Sequence, residues 1–293
     1  MKAKILVILG PTATGKSDLA VSLAKRLNGE VISADSRQVY KGLDIGTGKI
    51  TKKEMGRIPH HLLDVADPKK AFSVTAFVKL AEVAIQNIVS RGKLPIICGG
   101  TGFYISALVD GLIFPDVPPH IALRSRLSKK NLVQLYDTLK KLDHDRAATI
   151  DKDNPVRLIR AIEIATAIGK VPPVRSNPSK FDATFIGLQA SPQLLRKRIH
   201  DRLIKRMKGG MLAEIRNLHA GGLSWKRMEE LGLEYRYLAY YFQKKITLEK
   251  MLADLELAIW HYAKRQMTWF RRDKRIKWVE VGDGNLENLT NKL

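Results

Sequence analysis

The chain has 293 residues, 45% of them hydrophobic, which is enough to bury a sizeable core as one large or two modest domains. Its net charge of +22 favours a polyanionic partner such as nucleic acid over a merely solubilising surface. The single cysteine excludes an intramolecular disulfide and a cysteine-based zinc site, and no apolar stretch reaches the ~18 residues of a membrane helix, so we expect a cytoplasmic protein without a membrane partner.

The first hundred residues alternate short apolar runs with helical patterns. The run "KILVILG" has no polar alternation, as expected of a strand buried on both faces, and similar runs occupy 30–35 and 94–100. Apolar residues recur at helical spacing over 17–27 and 74–90. This order predicts an α/β fold: a mostly parallel sheet flanked by helices, with ligands at the carboxyl ends of the strands.

The second part of the chain is more basic and more helical. Residues 119–293 carry 35 Lys and Arg against 19 Asp and Glu, whereas residues 1–118 carry 16 against 10. A strand is predicted at 182–190, a long helix at about 247–273, and a short closing strand at "IKWVEV". The surplus of positive charge indicates that the helical part binds the nucleic acid.

These patterns predict an inserted helical module in a discontinuous catalytic core. The core comprises residues 1–118, 181–200 and about 257–281. The all-helical module, which we expect to bind the nucleic acid, comprises residues 119–180 and about 201–256.

The segment "GPTATGKS" fills the pattern G-x-x-x-x-G-K-[ST] between the first strand and the first helix. The backbone amides of such a P-loop wrap a diphosphate, Lys16 bridges its oxygens, and Ser17 ligates the accompanying Mg²⁺. ATPases, kinases and other nucleotide-binding enzymes share the pattern, so it predicts phosphate binding without defining the reaction. The predicted diphosphate- or nucleotide-binding residues are Gly10, Pro11, Thr12, Ala13, Thr14, Gly15, Lys16 and Ser17.

Asp35 lies at the tip of the second predicted strand, at the same edge of the sheet as the P-loop. An aspartate in this position is either a turn cap, a partner of the Mg²⁺ ligands or a catalytic group, and the pattern leaves these roles open.

Seven blocks of sequence occur in a characteristic order. They are "GPTATGKS", "SADSRQVYKGLDIGTGK", "PHHLLDVADP", "GGTGFY", "DNPVRLIRAIEI", the glycine pair and acidic residue around 209–215, and "YAKRQMTWFRRD". Together they resemble the tRNA dimethylallyltransferase family, which transfers a dimethylallyl group from its diphosphate to the exocyclic amine of adenosine 37, beside the anticodon. The resemblance extends from the P-loop to about residue 278. The family's eukaryotic members add a C-terminal zinc finger, which this sequence lacks, so the bacterial form is expected.

The resemblance implies that the P-loop holds the leaving diphosphate of dimethylallyl diphosphate, with Mg²⁺ as cofactor, rather than a transferable γ-phosphoryl group. It also implies that Asp35 accepts the amine proton and that Thr101 contacts both substrates near the reacting centre. Arg124, with Arg126 as the alternative two residues away, matches an arginine that reaches the diphosphate or the tRNA. The implied partner is a tRNA anticodon stem-loop, and we expect the enzyme to act as a monomer.

The target base is stacked in the anticodon loop, so the enzyme must draw it out. Ser36, Arg37 and Gln38 are polar enough to read an adenine edge, and Arg157 and Arg160 lie one helical turn apart, suited to phosphates. The predicted tRNA-binding residues are Asp35, Ser36, Arg37, Gln38, Thr101, Arg124, Arg157 and Arg160.

Some features leave alternatives open. The block "LGLEYRYL" is a loose match to the family's glycine-tyrosine-arginine motif, and the adjacent histidines of "PHHLLD" favour a structural role over metal binding. A small-molecule nucleotide kinase would share the loop and the sheet but would not need the basic second half. A non-catalytic RNA-binding module would leave the P-loop and Asp35 without a purpose.

Overall fold

The structure is a computed structural model, and it describes residues 2–282. Its strands are β1 (Ala3–Leu9), β2 (Gly29–Ser33), β3 (His60–His61), β4 (Leu94–Gly99), β5 (Leu112–Ile113), β6 (Arg175–Ser176), β7 (Phe181–Gln189) and β8 (Lys277–Glu280). Its helices are α1 (Lys16–Arg26), α2 (Lys52–Met55), α3 (Val74–Ser90), α4 (Gly102–Val109), α5 (Ile121–Leu127), α6 (Leu132–Leu142), α7 (His144–Thr149), α8 (Pro155–Ile168), α9 (Pro192–Lys208), α10 (Met211–Ala220), α11 (Trp225–Leu231), α12 (Leu233–Phe242) and α13 (Leu248–Phe270). None of these helices combines the length and the apolar composition needed to cross a bilayer.

Six strands form one parallel sheet in the order β3-β2-β4-β1-β7-β8. Alternate residues of β1 enter two different cores: Val7 packs with Phe77 of α3, and Ile8 packs with Leu19 of α1. Helices therefore cover both faces of the sheet, which is why β1 is a continuous apolar run. The predicted α/β class and the predicted parallel sheet are confirmed.

Helices α9 to α13 build a third apolar core. Leu195, Ile199 and Leu203 recur at helical spacing on α9 and are buried in this core. Helices α9 and α10 are separate because the chain turns between them at Gly210, which has φ +99.

Residues 112–177 form a separate compact unit. Its helices α5 to α8 enclose a small core that includes Leu123, Leu139 and Leu158, and its strands β5 and β6 pair in a short antiparallel ribbon. This unit is the nearly all-helical insertion expected after residue 118.

The structure divides the chain differently from the predicted domain boundaries. Residues 201–256 belong to the same unit as the P-loop and not to the unit of residues 112–177. The physical reason is the core of α9 to α13, which also contains Val39, Tyr40 and Leu43 from the segment after β2. That apolar contact joins the helices to the P-loop unit.

Candidate active site

The P-loop connects β1 to α1 in a tightly folded conformation. Gly10 has φ +138, and a side chain there would collide with the backbone carbonyl of Leu188 on β7. Glycine is therefore required where the loop passes over the neighbouring strand. Inside the loop, the buried Thr14 hydroxyl donates a 2.9 Å hydrogen bond to the Pro11 carbonyl.

Lys16, the first residue of α1, donates from Nζ to the Pro11 carbonyl at 2.6 Å. Burial lowers the pKa of this amine to about 8, and the positive charge of Arg202 acts in the same direction. An anionic ligand at the loop would restore the stability of the ammonium form, because an opposite charge favours protonation.

This lowered pKa gives a testable pH dependence. As the pH rises through about 8, Lys16 of the free enzyme loses its proton, so kcat/KM for an anionic substrate should fall while kcat at saturation changes less. The measurement is kcat/KM against pH for wild type and for Lys16→Arg, whose guanidinium does not titrate in this range. A wild-type profile without the fall would contradict a binding role for the ammonium.

Asp35 lies just beyond the end of β2. Its Oδ1 accepts hydrogen bonds from the backbone N–H of Arg37 at 2.8 Å and of Gln38 at 3.3 Å. Asp35 thus caps a turn, which is one of the roles that its place in the sequence predicts. Within residues 2–282, none of the hydrogen bonds uses Oδ2, so one carboxylate oxygen is left for a substrate.

Thr101 lies beside this turn at the N-cap position of α4. Its hydroxyl accepts a 3.0 Å hydrogen bond from the N–H of Ser36, and its own N–H donates to the Ala34 carbonyl at 3.2 Å. Burial raises the pKa of the Tyr262 phenol, which also lines the cavity. The ends of β2 and β4 therefore place Asp35 and Thr101 side by side.

Gln266 of α13 links the P-loop to the turn before Thr101. Its Oε1 accepts from the Thr12 N–H, and its Nε2 donates to the Gly100 carbonyl, both at 2.9 Å. The side chain is buried. A residue 254 positions away from Thr12 thus fixes the loop against β4.

These elements surround a cavity of about 110 Å³. The predicted site residues that line it are Thr12, Lys16, Ser17, Asp35, Arg37 and Gln38. The lining residues that sequence reasoning did not assign to the site include Cys98, Arg202, Arg206, Glu234, Tyr235, Tyr262 and Gln266. Burial raises the pKa of the Cys98 thiol to about 12, so this cysteine is protonated and unreactive at neutral pH.

Arg202 and Arg206 add positive charge to the cavity from α9. Burial, followed by repulsion from Arg206, lowers the pKa of Arg202 to about 10. Arg206 pairs with Glu234 at 3.0 Å, and both side chains are nearly buried. Four cationic and two acidic side chains line the cavity, so it suits a multiply charged anion. The only sequence signal for this arginine pair is its i, i+4 spacing on a basic helix.

Arg37 and Gln38 already use some of their polar groups in hydrogen bonds within the protein. Arg37 donates from Nε to the Leu231 carbonyl at 2.6 Å, and Gln38 accepts from the Ser33 hydroxyl at 3.2 Å. Both nevertheless line the cavity.

The predicted arginines of the basic module lie in the unit of residues 112–177. Arg124 and Arg160 both bond the buried Glu163, which also accepts from the His120 N–H at 2.6 Å. Burial favours a raised pKa for Glu163, but these hydrogen bonds outweigh it and lower the pKa to about 2. Arg157 instead pairs with the exposed Asp151 at 3.2 Å.

Glu163→Gln should destabilise this unit by about 2 kcal/mol near neutral pH, because two arginines lose their shared buried anion. The folded-state pKa lies below the ordinary 4.5, so the stabilisation is present above pH 4.5 and is lost as the pH falls toward 2. Urea unfolding of the full chain at several pH values measures the free energy of unfolding. Amide exchange in residues 112–177 shows whether the loss of stability lies in this unit. Asp145→Asn, at an exposed position of the same unit, is the matched control; a difference that persists unchanged at low pH would contradict the prediction.

The IPP transferase family model matches residues 38–273, and the isopentenyl transferase model matches residues 3–67. The chain belongs to the IPP transferase family. The IPP transferase match includes Thr101 and the cavity residues of α9, α12 and α13, and the isopentenyl transferase match includes the P-loop and Asp35.

Individual relatives agree with this assignment. The tRNA dimethylallyltransferase 2 of Trichlorobacter lovleyi is 43% identical over 287 residues, which cover 95% of this chain and 93% of the relative. The solved tRNA isopentenylpyrophosphate transferase of Bacillus halodurans is 37% identical with a TM-score of 0.76, covering 99% of this chain and 94% of that one. A eukaryotic dimethylallyltransferase acting on tRNA is 29% identical with a TM-score of 0.81, and 74% of its chain is covered. The predicted family and the bacterial form are confirmed.

Proposed function

We propose that this protein transfers a dimethylallyl group from dimethylallyl diphosphate to the exocyclic amine of adenosine 37 in tRNA and releases diphosphate. Membership of the IPP transferase family and the names of the relatives support this activity. The observation that carries it is one cavity that combines a cationic P-loop with the Asp35 carboxylate. We further propose that the enzyme works as a monomer in the cytoplasm.

The donor's diphosphate is assigned to the cationic side of the cavity. Lys16 and the P-loop amides bind it from one side, and Arg202 and Arg206 add charge from α9. These groups stabilise negative charge on the departing oxygen, so they act more strongly on the transition state than on the bound donor. This arrangement favours release of intact diphosphate.

The reaction breaks the C1–O bond of the donor, whose electron pair leaves with the diphosphate, and forms a C1–N bond to adenine. The amine is a weak nucleophile because its lone pair is delocalised into the ring, so alignment and proton removal both matter. We assign the proton to Asp35, whose position is fixed by the turn at Arg37 and Gln38. We assign the contact with both substrates to Thr101, whose hydroxyl accepts from the Ser36 N–H beside Asp35.

The residues present fit a Mg²⁺ ion held largely by the substrate. Within the described residues, no group of three or more His, Cys, Asp or Glu side chains forms a metal cage, but Mg²⁺ commonly takes one protein oxygen, several waters and phosphate oxygens. The Ser17 hydroxyl, which lines the cavity, is the protein ligand that we propose. When bound, the ion supplies charge neutralisation to the leaving diphosphate.

The polar turn after β2 and the basic second unit are assigned to the tRNA. Ser36, Arg37 and Gln38 adjoin the proposed proton acceptor, where an extruded adenine and its neighbours would lie. Arg124 and Arg157 keep 40% and 56% of their side-chain surface exposed, which leaves donors for phosphates. Arg160 belongs to the same ion cluster as Arg124.

The test is a direct assay of both possible chemistries. Purified protein is incubated with dimethylallyl diphosphate and unmodified tRNA, and in parallel with ATP and small acceptors, and the products are read by mass spectrometry. We expect isopentenyl-adenosine at position 37 and stoichiometric diphosphate. Transfer of the terminal phosphate of ATP as the main activity, with the tRNA left unmodified, would support the kinase and overturn the proposal.

A further inference from the structure

Glu214 of α10 does not line the cavity, yet it holds a loop that follows β2. Its Oε2 accepts hydrogen bonds from the N–H groups of Asp44 and Ile45 at 3.1 and 2.6 Å. Its Oε1 accepts from the Gly46 N–H at 3.1 Å and from the Tyr235 hydroxyl at 2.8 Å. Three consecutive amides on one carboxylate fix the backbone of this loop, because charge-assisted hydrogen bonds are the stronger kind.

The same loop accepts hydrogen bonds from the two cavity arginines of α9. Arg206 donates to the Gly46 carbonyl at 3.3 Å, and Arg202 donates to the Gly48 carbonyl at 3.2 Å. Gly48 has φ +58, and a side chain there would occupy the space of both guanidinium groups. The loop therefore determines where the guanidinium groups lie.

Arg206 has little freedom to find another position. It lies between the Gly46 carbonyl and the carboxylate of Glu234, and its side chain is 13% exposed. A buried guanidinium that loses one of these acceptors cannot replace it with bulk water. A displacement of the loop would consequently displace the arginine or leave it without an acceptor.

We propose that Glu214 is a positioning residue for donor binding: it holds residues 44–48 so that their carbonyls orient Arg202 and Arg206 toward the diphosphate. The inference rests on the proposed function, in which these arginines bind the diphosphate of the prenyl donor. Glu214 itself touches neither substrate. Its removal should therefore weaken binding of the donor and of diphosphate while leaving binding of tRNA in place.

The test compares Glu214→Gln with Glu249→Gln, which removes the same charge from an exposed position on α13. In Glu214→Gln an amide NH₂ replaces one carboxylate oxygen. The NH₂ group cannot accept the hydrogen bonds that this oxygen accepts from the loop amides or from Tyr235. We expect about a tenfold weaker affinity for inorganic pyrophosphate and a similar rise in KM for dimethylallyl diphosphate, with kcat and tRNA affinity within about threefold of wild type. Glu249→Gln should match wild type in every measurement.

A double-mutant cycle shows whether Glu214 acts through the arginines. In an Arg202→Ala/Arg206→Ala background, adding Glu214→Gln should change pyrophosphate affinity by less than about twofold, because coupled residues are not additive. Amide exchange at residues 44–46 should become faster in Glu214→Gln. Unchanged pyrophosphate affinity in Glu214→Gln, or an equal loss in the background without arginines, would overturn the inference.

Tyr235→Phe provides a second variant should Glu214→Gln not fold. It keeps the carboxylate and removes one hydrogen bond to it, so we expect about a threefold loss of pyrophosphate affinity with tRNA affinity unchanged. An unchanged pyrophosphate affinity would contradict the inference here too. Failure of the proposed function has a different signature, since wild type would then leave dimethylallyl diphosphate unused while the pyrophosphate measurements still report on the loop.

Discussion

Asp35→Asn is expected to lower kcat by about 10²-fold or more, as is typical when a general base is removed. The asparagine Oδ1 can still accept the backbone N–H groups of Arg37 and Gln38, so the turn is retained. What is lost is the ability of the carboxylate to take the proton from the amine. Affinity for tRNA and for dimethylallyl diphosphate should stay within about twofold, because the change affects the chemical step.

The measurement is single-turnover kinetics with dimethylallyl diphosphate and unmodified tRNA. Asp67→Asn is a matched control, because Asp67 also caps a turn through Oδ1, by accepting from the Lys69 N–H, at an exposed position. Asp35→Ala removes both the turn cap and the proton acceptor. Turnover by Asp35→Asn near the wild-type rate, with Asp35→Ala impaired, would show that Asp35 is only a turn cap.

Lys16→Ala is expected to lower kcat/KM for dimethylallyl diphosphate by about 10²- to 10³-fold, the range seen when one preorganised donor to a developing anion is removed. Lys16 is half-buried at the end of the P-loop, with its Nζ 2.6 Å from the Pro11 carbonyl. Its charge therefore acts on a bound diphosphate with little screening by solvent. Water admitted by the smaller side chain would replace the hydrogen bond but not the charge.

Steady-state kinetics with varied dimethylallyl diphosphate measure the effect of the variant on the donor, and a tRNA binding assay measures its effect on the acceptor. Lys25→Ala removes the same charge from an exposed position of the same helix and should behave as wild type. Binding of tRNA to Lys16→Ala should stay within about twofold of wild type, since the amine is assigned to the donor. A loss of tRNA affinity as large as the loss of kcat/KM would show that Lys16 serves the nucleic acid instead.

The sequence by itself determined the sheet and one half of the candidate site. The P-loop pattern and the strand ending before Asp35 are local signals, and a parallel sheet brings strand ends to one edge. These signals, with the apolar run before Thr101, place Lys16, Ser17, Asp35 and Thr101 together, because each lies just beyond the carboxyl end of a strand or in the first turn of the helix after it.

Only the tertiary structure decided the other half. Arg202, Glu234 and Gln266 reach the cavity because α9, α12 and α13 pack on the apolar segment after β2, and no local pattern reports that contact. On a basic helix, the sequence does not distinguish an arginine that faces a cleft from one that faces solvent. For the same reason, the sequence patterns assign residues 201–256 to the helical module, whereas the structure includes them in the unit of the P-loop. These residues pack against a segment some 160 positions earlier, and sequence patterns do not report contacts between such distant segments.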